Sequence, residues 1–571
     1  MCSRAYVPAR PRLPRNPPMS HSTRFLTAVL LAAVSSLSAS AQGSAGLIQR
    51  LDSIAGAEVR ANRSVGIVAA AFKGKDRLLL QAYGKADVEG NAPMNVGTMI
   101  AIGSATKQFT AVAILQLRDQ GKLSLDDEVT KWLPELNTGG NKITLRQMLA
   151  HTAGIHEASE MPELRAVQII RNATITRDSV YKVISRYPPV FPAGTMEIYS
   201  NTGFWLLGRI VEKASGVSYE EYIEKWIFAP LGMSRSMFCD NSKQVANRAK
   251  GYHVRGGAPN RVPDIAHAAS TFAAGGICSS ADDLITWVQA LHGGKVLSPE
   301  SYAEYITPAT LNDGTVLRYS MGTDIAEDNN GLRYIGHSGG GFGFSSAVRW
   351  YPDAKLAVVV LTNSEPDAIT KTTEAIAAAV LPPMTRVARR FTGDPSPLVG
   401  KYRGRGHGGD MVVVVTQTPQ GVMFSINGQP AETLAWVEGW TFRKGAELLT
   451  FRAGPTGGRA AQLRYDPIAE YFILKPDTVT AAMAAPLTAF EGTYEGLQPG
   501  ATIKIAIESD TLRMLPSRGG KGNLIPASGT TFYNGRDGAP LTVTFNLGPD
   551  GKTVSITFRG PGMEQTRKRL P

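Results

Sequence analysis

The sequence predicts an α+β domain, an antiparallel sheet flanked by helices, followed by two small all-β barrel-like repeats. Three observations carry that prediction. Strand patterns stand at both ends of the first two-thirds of the chain, with helical patterns between them. The texture changes after Leu381-Pro382-Pro383, beyond which short strands and glycine turns take over. The short-strand region also repeats. Gly400-Lys401-Tyr402 recurs as Gly492-Thr493-Tyr494, Trp440-Thr441-Phe442 as Thr530-Thr531-Phe532, and Leu449-Thr450-Phe451 as Val543-Thr544-Phe545, at offsets of 92, 90 and 94 residues. Each unit is long enough for a closed antiparallel barrel, which leaves no sheet edge. The divisions are then a leader over 1–41, a first domain over 42–385, a linker over 386–394, and barrel-like units over 395–478 and 486–571.

In chain order, Leu47 to Ala61 has a helical pattern, and Ile67 to Phe72 with Leu78 to Tyr83 flank Lys73-Gly74-Lys75-Asp76 as a hairpin. Gly103 breaks the next segment. Ser104 then stands at a helix start, and the run Ala111 to Leu117 is apolar nearly all round, so this helix is expected at the centre of the domain. Gly121 ends it. Thr144 caps a helix that ends at Ala150-His151. A helix over Gly203 to Lys213 stops at Gly216, and Ser218 with Glu221 caps Tyr219 to Phe228. Ser280 with Asp283 caps a helix ending at Gly293-Gly294. Phe344 to Trp350 and Leu356 to Leu361 form a second hairpin around Tyr351-Pro352-Asp353-Ala354, and Asp367 to Val380 is a closing helix.

The first 41 residues stand apart. Met1 to Pro18 is rich in Pro and Arg without periodicity. Met19, Arg24, an apolar run from Phe25 to Val34 and Ala39-Ser40-Ala41 then read as a secretory signal, with translation from Met19 and a mature chain from near Gln42. A periplasmic or secreted location follows as an expectation. The five leader arginines account for part of the formal charge, which falls from +12 to +7 without them. Basic residues are scattered and not interleaved with aromatics, so nucleic-acid binding is not indicated. No later apolar run is long enough to imply a transmembrane segment. Of three cysteines, Cys2 leaves with the leader, and Cys239 and Cys278 are a candidate disulfide in an oxidising compartment.

The chemistry-bearing stretch is Ser104-Ala105-Thr106-Lys107. Three residues apart on a first helical turn, the hydroxyl and the amine share a face, at an end where backbone N–H groups favour negative charge. An acyl-transfer serine needs that arrangement, and S-x-x-K is a known catalytic motif. The pattern alone also fits a capping serine with a solvated lysine, and Ser179-Val180-Tyr181-Lys182 repeats it on a surface helix.

Two further patterns separate the readings. Tyr199-Ser200-Asn201 follows Pro192-Ala193-Gly194-Thr195 and opens a helix, and His337-Ser338-Gly339-Gly340 lies just before the second hairpin. In order and spacing, the three motifs resemble the serine beta-lactamase and penicillin-binding-protein-like hydrolases, nearest the class C enzymes and related esterases. Leu149-Ala150-His151-Thr152-Ala153-Gly154, Ala229-Pro230-Leu231-Gly232-Met233 and Ala274-Gly275-Gly276 also look like that family, and the resemblance covers roughly residues 45 to 382. The barrel pair is similar in architecture to the non-catalytic domains of D-aminopeptidases. The resemblance implies a beta-lactamase-like α+β fold, Ser104 as acylated nucleophile, Lys107 as its base and Tyr199 as proton relay to the leaving group. Asn201 would orient Lys107 and the substrate amide, and the N–H groups of Ser104 and Gly340, beside Gly339, would form an oxyanion hole. Read singly, Tyr199 is also a buried aromatic, His337 a structural hydrogen-bonding histidine, and His151 and Thr152 architectural.

One departure from the family matters. The third motif usually opens with lysine, and here it is His337, mostly neutral at pH 7. A substrate carboxylate then lacks a fixed cation unless Arg349 or another basic residue supplies one. That favours a secreted serine hydrolase acting on esters, amides or D-amino-acid-containing peptides over a beta-lactamase or D-alanyl-D-alanine carboxypeptidase. The rival from another class is a non-catalytic protein binding penicillin or cell-wall fragments, and both an association with the cell wall and the oligomeric state stay open. No cofactor is expected: His156-Glu157 lacks the second histidine of H-E-x-x-H, and no other metal-ligand cluster is visible. Gly336-His337-Ser338-Gly339-Gly340 matches G-x-S-x-G, but a strand follows it where a nucleophile elbow needs a helix. Gly404-x-Gly406-x-x-Gly409 likewise runs into a strand and is a turn.

Overall fold

A computed structural model describes residues 46–571 except 165–174, 240–244, 264–267, 366–367, 383–388, 407–408, 419–420, 454–459, 468–469, 477–486, 498–499, 509–510, 518–521, 529, 535–540 and 561–562. The leader expected over 1–41 lies outside these residues, as do parts of the expected linker and of the junction between the all-β units.

The first domain is built on one antiparallel sheet of seven strands. In chain order they are β1 (Gly66–Lys73), β2 (Asp76–Asp87), β3 (Ala92–Pro93), β4 (Asp324–Glu327), β5 (Arg333–Gly341), β6 (Phe344–Tyr351) and β7 (Leu356–Thr362). Their spatial order is β3-β2-β1-β7-β6-β5-β4, so the two ends of the domain meet at the β1–β7 pair. Strand side chains alternate between faces. Ile67, Ala69 and Ala71 pack with the helix over 46–60 and with Ile376 and Ala377 of the closing helix Ala368–Val380. Val68 and Ala70 turn the other way, into the core made by the helical middle. Because both faces are covered, β1 and β7 read as continuous apolar runs and not as alternation.

At the centre of that middle lies helix α1 (Thr106–Asp119), preceded by a single 3-10 turn at Gly103–Ala105. Every residue from Thr106 to Leu115 is buried, the polar Thr106, Lys107, Gln108 and Thr110 included, and the apolar run from Ala111 is buried all round. Phe109 stacks on Trp287 at 4.1 Å. Helix α2 (Leu145–Leu149) starts at a full capping box between Thr144 and Gln147. Helix α3 (Arg177–Ile184) carries the second S-x-x-K pair, and Ser179 and Lys182 are both exposed on it. Helix α4 (Asn201–Ser215) begins two residues earlier than its periodicity suggests, because Ser200 caps it through the Gly203 N–H. The helix expected over Tyr219–Phe228 is α-helical to Ile223 and widens into a π-turn at Glu224–Phe228, with Ile227 and Phe228 both buried.

The third motif lies just before the second hairpin, as expected, but is itself part of a strand. It lies inside β5, whose partner β6 follows a turn at Phe342-Gly343, both left-handed. Four glycines hid this strand, since glycine weakens strand patterning while permitting close backbone approach. A Cβ at Gly336 would sit 2.2 Å from the Val348 carbonyl oxygen, and one at Gly339 would sit 2.0 Å from that of Ile102.

Beyond the first domain the described chain is mostly strand. One sheet of nine strands runs between Gly400 and Pro476; its outermost strands, Glu432–Thr433 and Ala435–Glu438, are consecutive in the chain, so the sheet curls nearly to closure. A second sheet of eight strands runs from Gly492 to Lys568 and meets itself where Tyr494 bridges Arg569 and the Leu570 N–H donates to the Thr493 carbonyl at 2.8 Å. The sequence repeat is a structural repeat. Tyr402 donates to the Leu398 carbonyl at 2.9 Å and Tyr494 to that of Phe490 at 3.0 Å. Thr441 pairs with Thr450 as Thr531 does with Thr544.

The first barrel docks on the first domain through the chain just before Tyr199. Phe191 and Ile198 belong to the barrel's own apolar core, Glu197 bridges Tyr471, and Arg318 binds both carboxylate oxygens of Asp466 at 3.0 Å.

Cys239 and Cys278 are joined as a disulfide across a separation of 39 residues, beside the short pair Met237–Phe238 and Ile277–Ser279. The chain-entropy account gives such a loop about 4 kcal/mol. Thiol titration of the unreduced, denatured chain without its leader is expected to find no free thiol, and reduction to lower Tm; two thiols per chain would contradict the bond.

Candidate active site

The structure brings the separated motifs together around Ser104. Gly103 adopts a left-handed φ of +52°, which lifts the chain out of its strand and into the turn that presents Ser104. A Cβ at Gly103 would lie 2.8 Å from the Gly340 nitrogen, and one at Gly339 would lie 2.7 Å from the Ser104 nitrogen. Two backbone N–H groups, those of Ser104 and Gly340, are thus pressed into one corner. The Ser346 hydroxyl fixes the approach by donating to the Ile102 carbonyl at 2.6 Å. Neither position tolerates a side chain.

Lys107 is fully buried. Its Nζ lies 2.8 Å from Asn201 Oδ1, 2.9 Å from the Ala274 carbonyl oxygen and 3.1 Å from Ser104 Oγ. It also stands over the Tyr199 ring, 4.6 Å from the centroid. Burial pushes its pKa down to about 7, while the Glu157 carboxylate opposes part of that shift. The neutral amine has two hydrogens and one lone pair. Asn201 Oδ1 and the Ala274 carbonyl can only accept, so they take both hydrogens, and the lone pair is left facing the Ser104 hydroxyl. A base aimed at the serine proton is the result.

The Tyr199 hydroxyl lies close enough to the Ser104 side chain for that group to act on its pKa. Burial raises the Tyr199 pKa far above its ordinary value, the Ser104 contact counters only part of this, and Asp324, Glu157 and Glu470 add to it. Tyr199 therefore keeps its proton at any working pH. It can pass a proton along but cannot serve as the resting base. Asn201 reaches Lys107 from the first residue of α4 and also lines the pocket.

His337 does not face the substrate. It is buried, its Nδ1 meets the Ser338 carbonyl oxygen at 2.5 Å, and its Nε2 meets the Tyr319 hydroxyl at 3.1 Å. Both ring nitrogens are occupied. Burial, with Lys107 nearby, pushes its pKa down to about 3 although the Ser338 carbonyl favours the charged form. The substrate-orienting role expected of His337 is corrected to the structural one. Arg349 is no substitute cation: it lies on the far face of β6, paired with Glu374 at 3.2 Å and over the Tyr334 ring at 4.1 Å.

Beside Ser104 opens a pocket of about 390 Å³, lined by Asn201, Gly340 and an apolar wall that includes Ile175, Val180, Ile184, Trp205, Val262 and Phe342. Glu157 is the one charged group among the described lining residues. Its Oε2 accepts from the Ser200 hydroxyl at 3.3 Å, the Thr202 N–H at 3.2 Å and the Thr202 hydroxyl at 3.3 Å, at the start of α4 where the helix dipole favours an anion. Sequence reading passed over Glu157, since no spacing rule ties it to partners 43 and 45 residues away. Among the described residues no cluster of three metal-ligating side chains occurs, and no helix is long and apolar enough to cross a membrane.

Residues 51–381 match the family model described as Beta-lactamase, and residues 476–569 match the Domain of unknown function (DUF3471). The chain is 30% identical to Penicillin-binding protein 4* of Bacillus subtilis (strain 168) over 310 residues, which is 52% of this chain and 68% of that protein. Its fold is similar to that of SurE, with a TM-score of 0.55 and 23% identity over 77% of this chain and 100% of the other. It is also similar to the octameric penicillin-binding protein homologue from Pyrococcus abyssi, with a TM-score of 0.52 and 21% identity over 92% of this chain and 100% of the other.

A pH profile checks the assignment of the base. The reactive form is the neutral amine, so acylation by a fluorophosphonate is expected to rise as pH increases through about 7 and to level off above it. Lys107→Met is expected to remove that limb with the acylation itself; a rate flat from pH 5.5 to 8.5 would exclude Lys107 as base.

Proposed function

The chain belongs to the beta-lactamase family, and from that premise we propose that it is a secreted serine hydrolase that works through an acyl-enzyme on esters, amides or D-amino-acid-containing peptides. The observation that carries this reading is the lone pair of Lys107, directed at Ser104 by two obligate acceptors on its hydrogens. As Ser104 Oγ bonds to the substrate carbonyl carbon, its proton moves to Lys107 Nζ. The carbonyl oxygen gains the electron pair and lies against the N–H groups of Ser104 and Gly340, where each well-placed donor lowers the barrier by about 3 kcal/mol. The tetrahedral centre then collapses. The bond to the leaving group breaks, and the proton held on Lys107 reaches that group through the Tyr199 hydroxyl. Water repeats the sequence in reverse order and frees Ser104.

The pocket supports the choice of substrate class, for a reason other than the one His337 suggested. An apolar wall suits an apolar acyl or leaving group. With Glu157 the only described charge on that wall, a substrate carboxylate would meet an anion and no cation. This weighs against a beta-lactamase or D-alanyl-D-alanine carboxypeptidase, whose substrates carry that carboxylate. A non-catalytic binder is disfavoured because a merely binding site does not need an amine held dry at a pKa of about 7. The secretory leader and the disulfide both fit a periplasmic or extracellular site of action, where cell-wall material is available as substrate or partner.

Ser104→Ala is expected to abolish labelling by a fluorophosphonate and turnover of p-nitrophenyl esters. Ser179→Ala, on an exposed helix face, should leave both intact. Wild-type turnover by Ser104→Ala would overturn the reading. In a paired assay, neutral p-nitrophenyl esters are expected to exceed carboxylate-bearing analogues in kcat/KM by about tenfold, and Glu157→Gln to narrow that ratio roughly threefold, as the loss of one partly desolvated charge predicts.

A further inference from the structure

Two histidines that the acylation chemistry leaves unused are joined by one tyrosine. The Ser200 N–H donates to His151 Nδ1 at 3.1 Å, so Nδ1 carries no proton and the proton of the ring is on Nε2. That Nε2 lies 3.2 Å from the Tyr319 hydroxyl. At the other end, a carbonyl can only accept, so the contact with the Ser338 oxygen places the His337 proton on Nδ1 and leaves Nε2 bare. Nε2 faces the same Tyr319 hydroxyl at 3.1 Å. Tyr319 therefore accepts from His151 and donates to His337. The two ends fix the direction of every hydrogen between them.

The chain of bonds spans three separate stretches. His151 sits in a left-handed turn after α2, with φ +58°, and its ring packs on Tyr199 at 4.4 Å. His337 belongs to β5, two residues before the Gly339-Gly340 corner, and its ring lies 6.1 Å from that of Tyr199. Tyr319 is wholly buried between them. Its neighbours Leu317 and Arg318 are held by the first barrel, the one packed with Tyr471 and the other paired with Asp466.

We infer that Tyr319 is a positioning residue for acylation, whose hydroxyl registers the Tyr199-Ser200-Asn201 turn against the Ser338–Gly340 strand by satisfying one histidine from each. This rests on the hydrolase reading above for its kinetic consequence, but not for its structural one. Without the hydroxyl, the His151 Nε2–H and the His337 Nε2 lone pair lose this contact, and the two motifs lose their bonded link. The groups that bear on Tyr319 are Tyr199, Asp324, Glu197 and Tyr305, and Lys107 bears on His337. Burial and these neighbours keep the Tyr319 hydroxyl protonated and His337 neutral, so the order of the chain does not turn over in the working pH range.

The test is Tyr319→Phe in the full chain with ¹⁵N-labelled histidine, which removes one oxygen and little volume. Tyr305→Phe, at a buried tyrosine outside the bonded chain, is the control for packing. The His337 and His151 ring signals, assigned with single His→Gln variants, are expected to show the Nδ1–H and Nε2–H tautomers in the wild type and to leave those positions in Tyr319→Phe. With a p-nitrophenyl ester, kcat is expected to fall about tenfold or more with KM within about twofold, the split that misplacement of reacting groups produces. Tyr305→Phe should change neither signals nor kcat. Wild-type kcat in Tyr319→Phe, an equal loss in Tyr305→Phe, or a loss with both histidine signals unmoved would overturn the inference. If the wild type proves to have no hydrolase activity, the function reading fails by itself, and the histidine signals then decide: unmoved signals in Tyr319→Phe overturn the link, and shifted ones keep it.

Discussion

Dehydration of the Lys107 amine is the condition on which the rest of the site depends. An amine in water has a pKa near ~10.4, and at pH 7 fewer than about one in a thousand would be neutral. Held at about 7, roughly half are neutral at that pH. The fold achieves this by placing Lys107 on the first turn of a helix that is apolar on every side and capping its amine with Asn201, Ala274 and Ser104. Stability is lost in burying a group that prefers water, and the seven-stranded sheet with its two apolar faces is what can absorb that loss.

A second constraint is distance between backbones. The Gly103-Ser104 turn and the Gly339-Gly340 strand approach so closely that a single methyl group on Gly103 or Gly339 would collide with main-chain atoms. Main-chain donors cannot be moved by rotamer changes, so an anion-stabilising corner made this way is rigid. It is also indifferent to pH. Of Lys107, Tyr199, His337 and Tyr319, only the amine titrates near neutral pH, and the other three keep a fixed protonation state around it.

Much of this was legible in the sequence, for reasons that differ by residue. Ser104 and Lys107 are local: three positions on a helix bring two side chains together without help from the fold. Tyr199 and Asn201 were found because they open a helix after a turn, and the structure puts Asn201 on Lys107 across 94 positions, a distance no periodicity can supply. His337 was found as a motif and misjudged as a contact, since a strand position says nothing of which neighbour claims each ring nitrogen. Glu157 was met only as half of a failed metal motif, and Tyr319 was not found at all. Their partners come from elements far off in the chain, and neither sits in a pattern that local physics singles out. The strand carrying His337 was missed for the opposite reason: its glycines, which weaken a strand pattern, are what let it come close.

The two barrels differ in how they can be inherited. The second closes on itself, strand to strand, at Tyr494 and Arg569, so it is complete as a unit and can be lost, copied or exchanged without opening another core. The first has let Phe191 and Ile198 of the neighbouring domain into its own interior. That barrel's interior is not finished without them. Loss of the second barrel opens no described core but its own, whereas loss of the first uncovers Phe191 and Ile198, so the stretch leading to Tyr199 and the barrel around it are bound to change together.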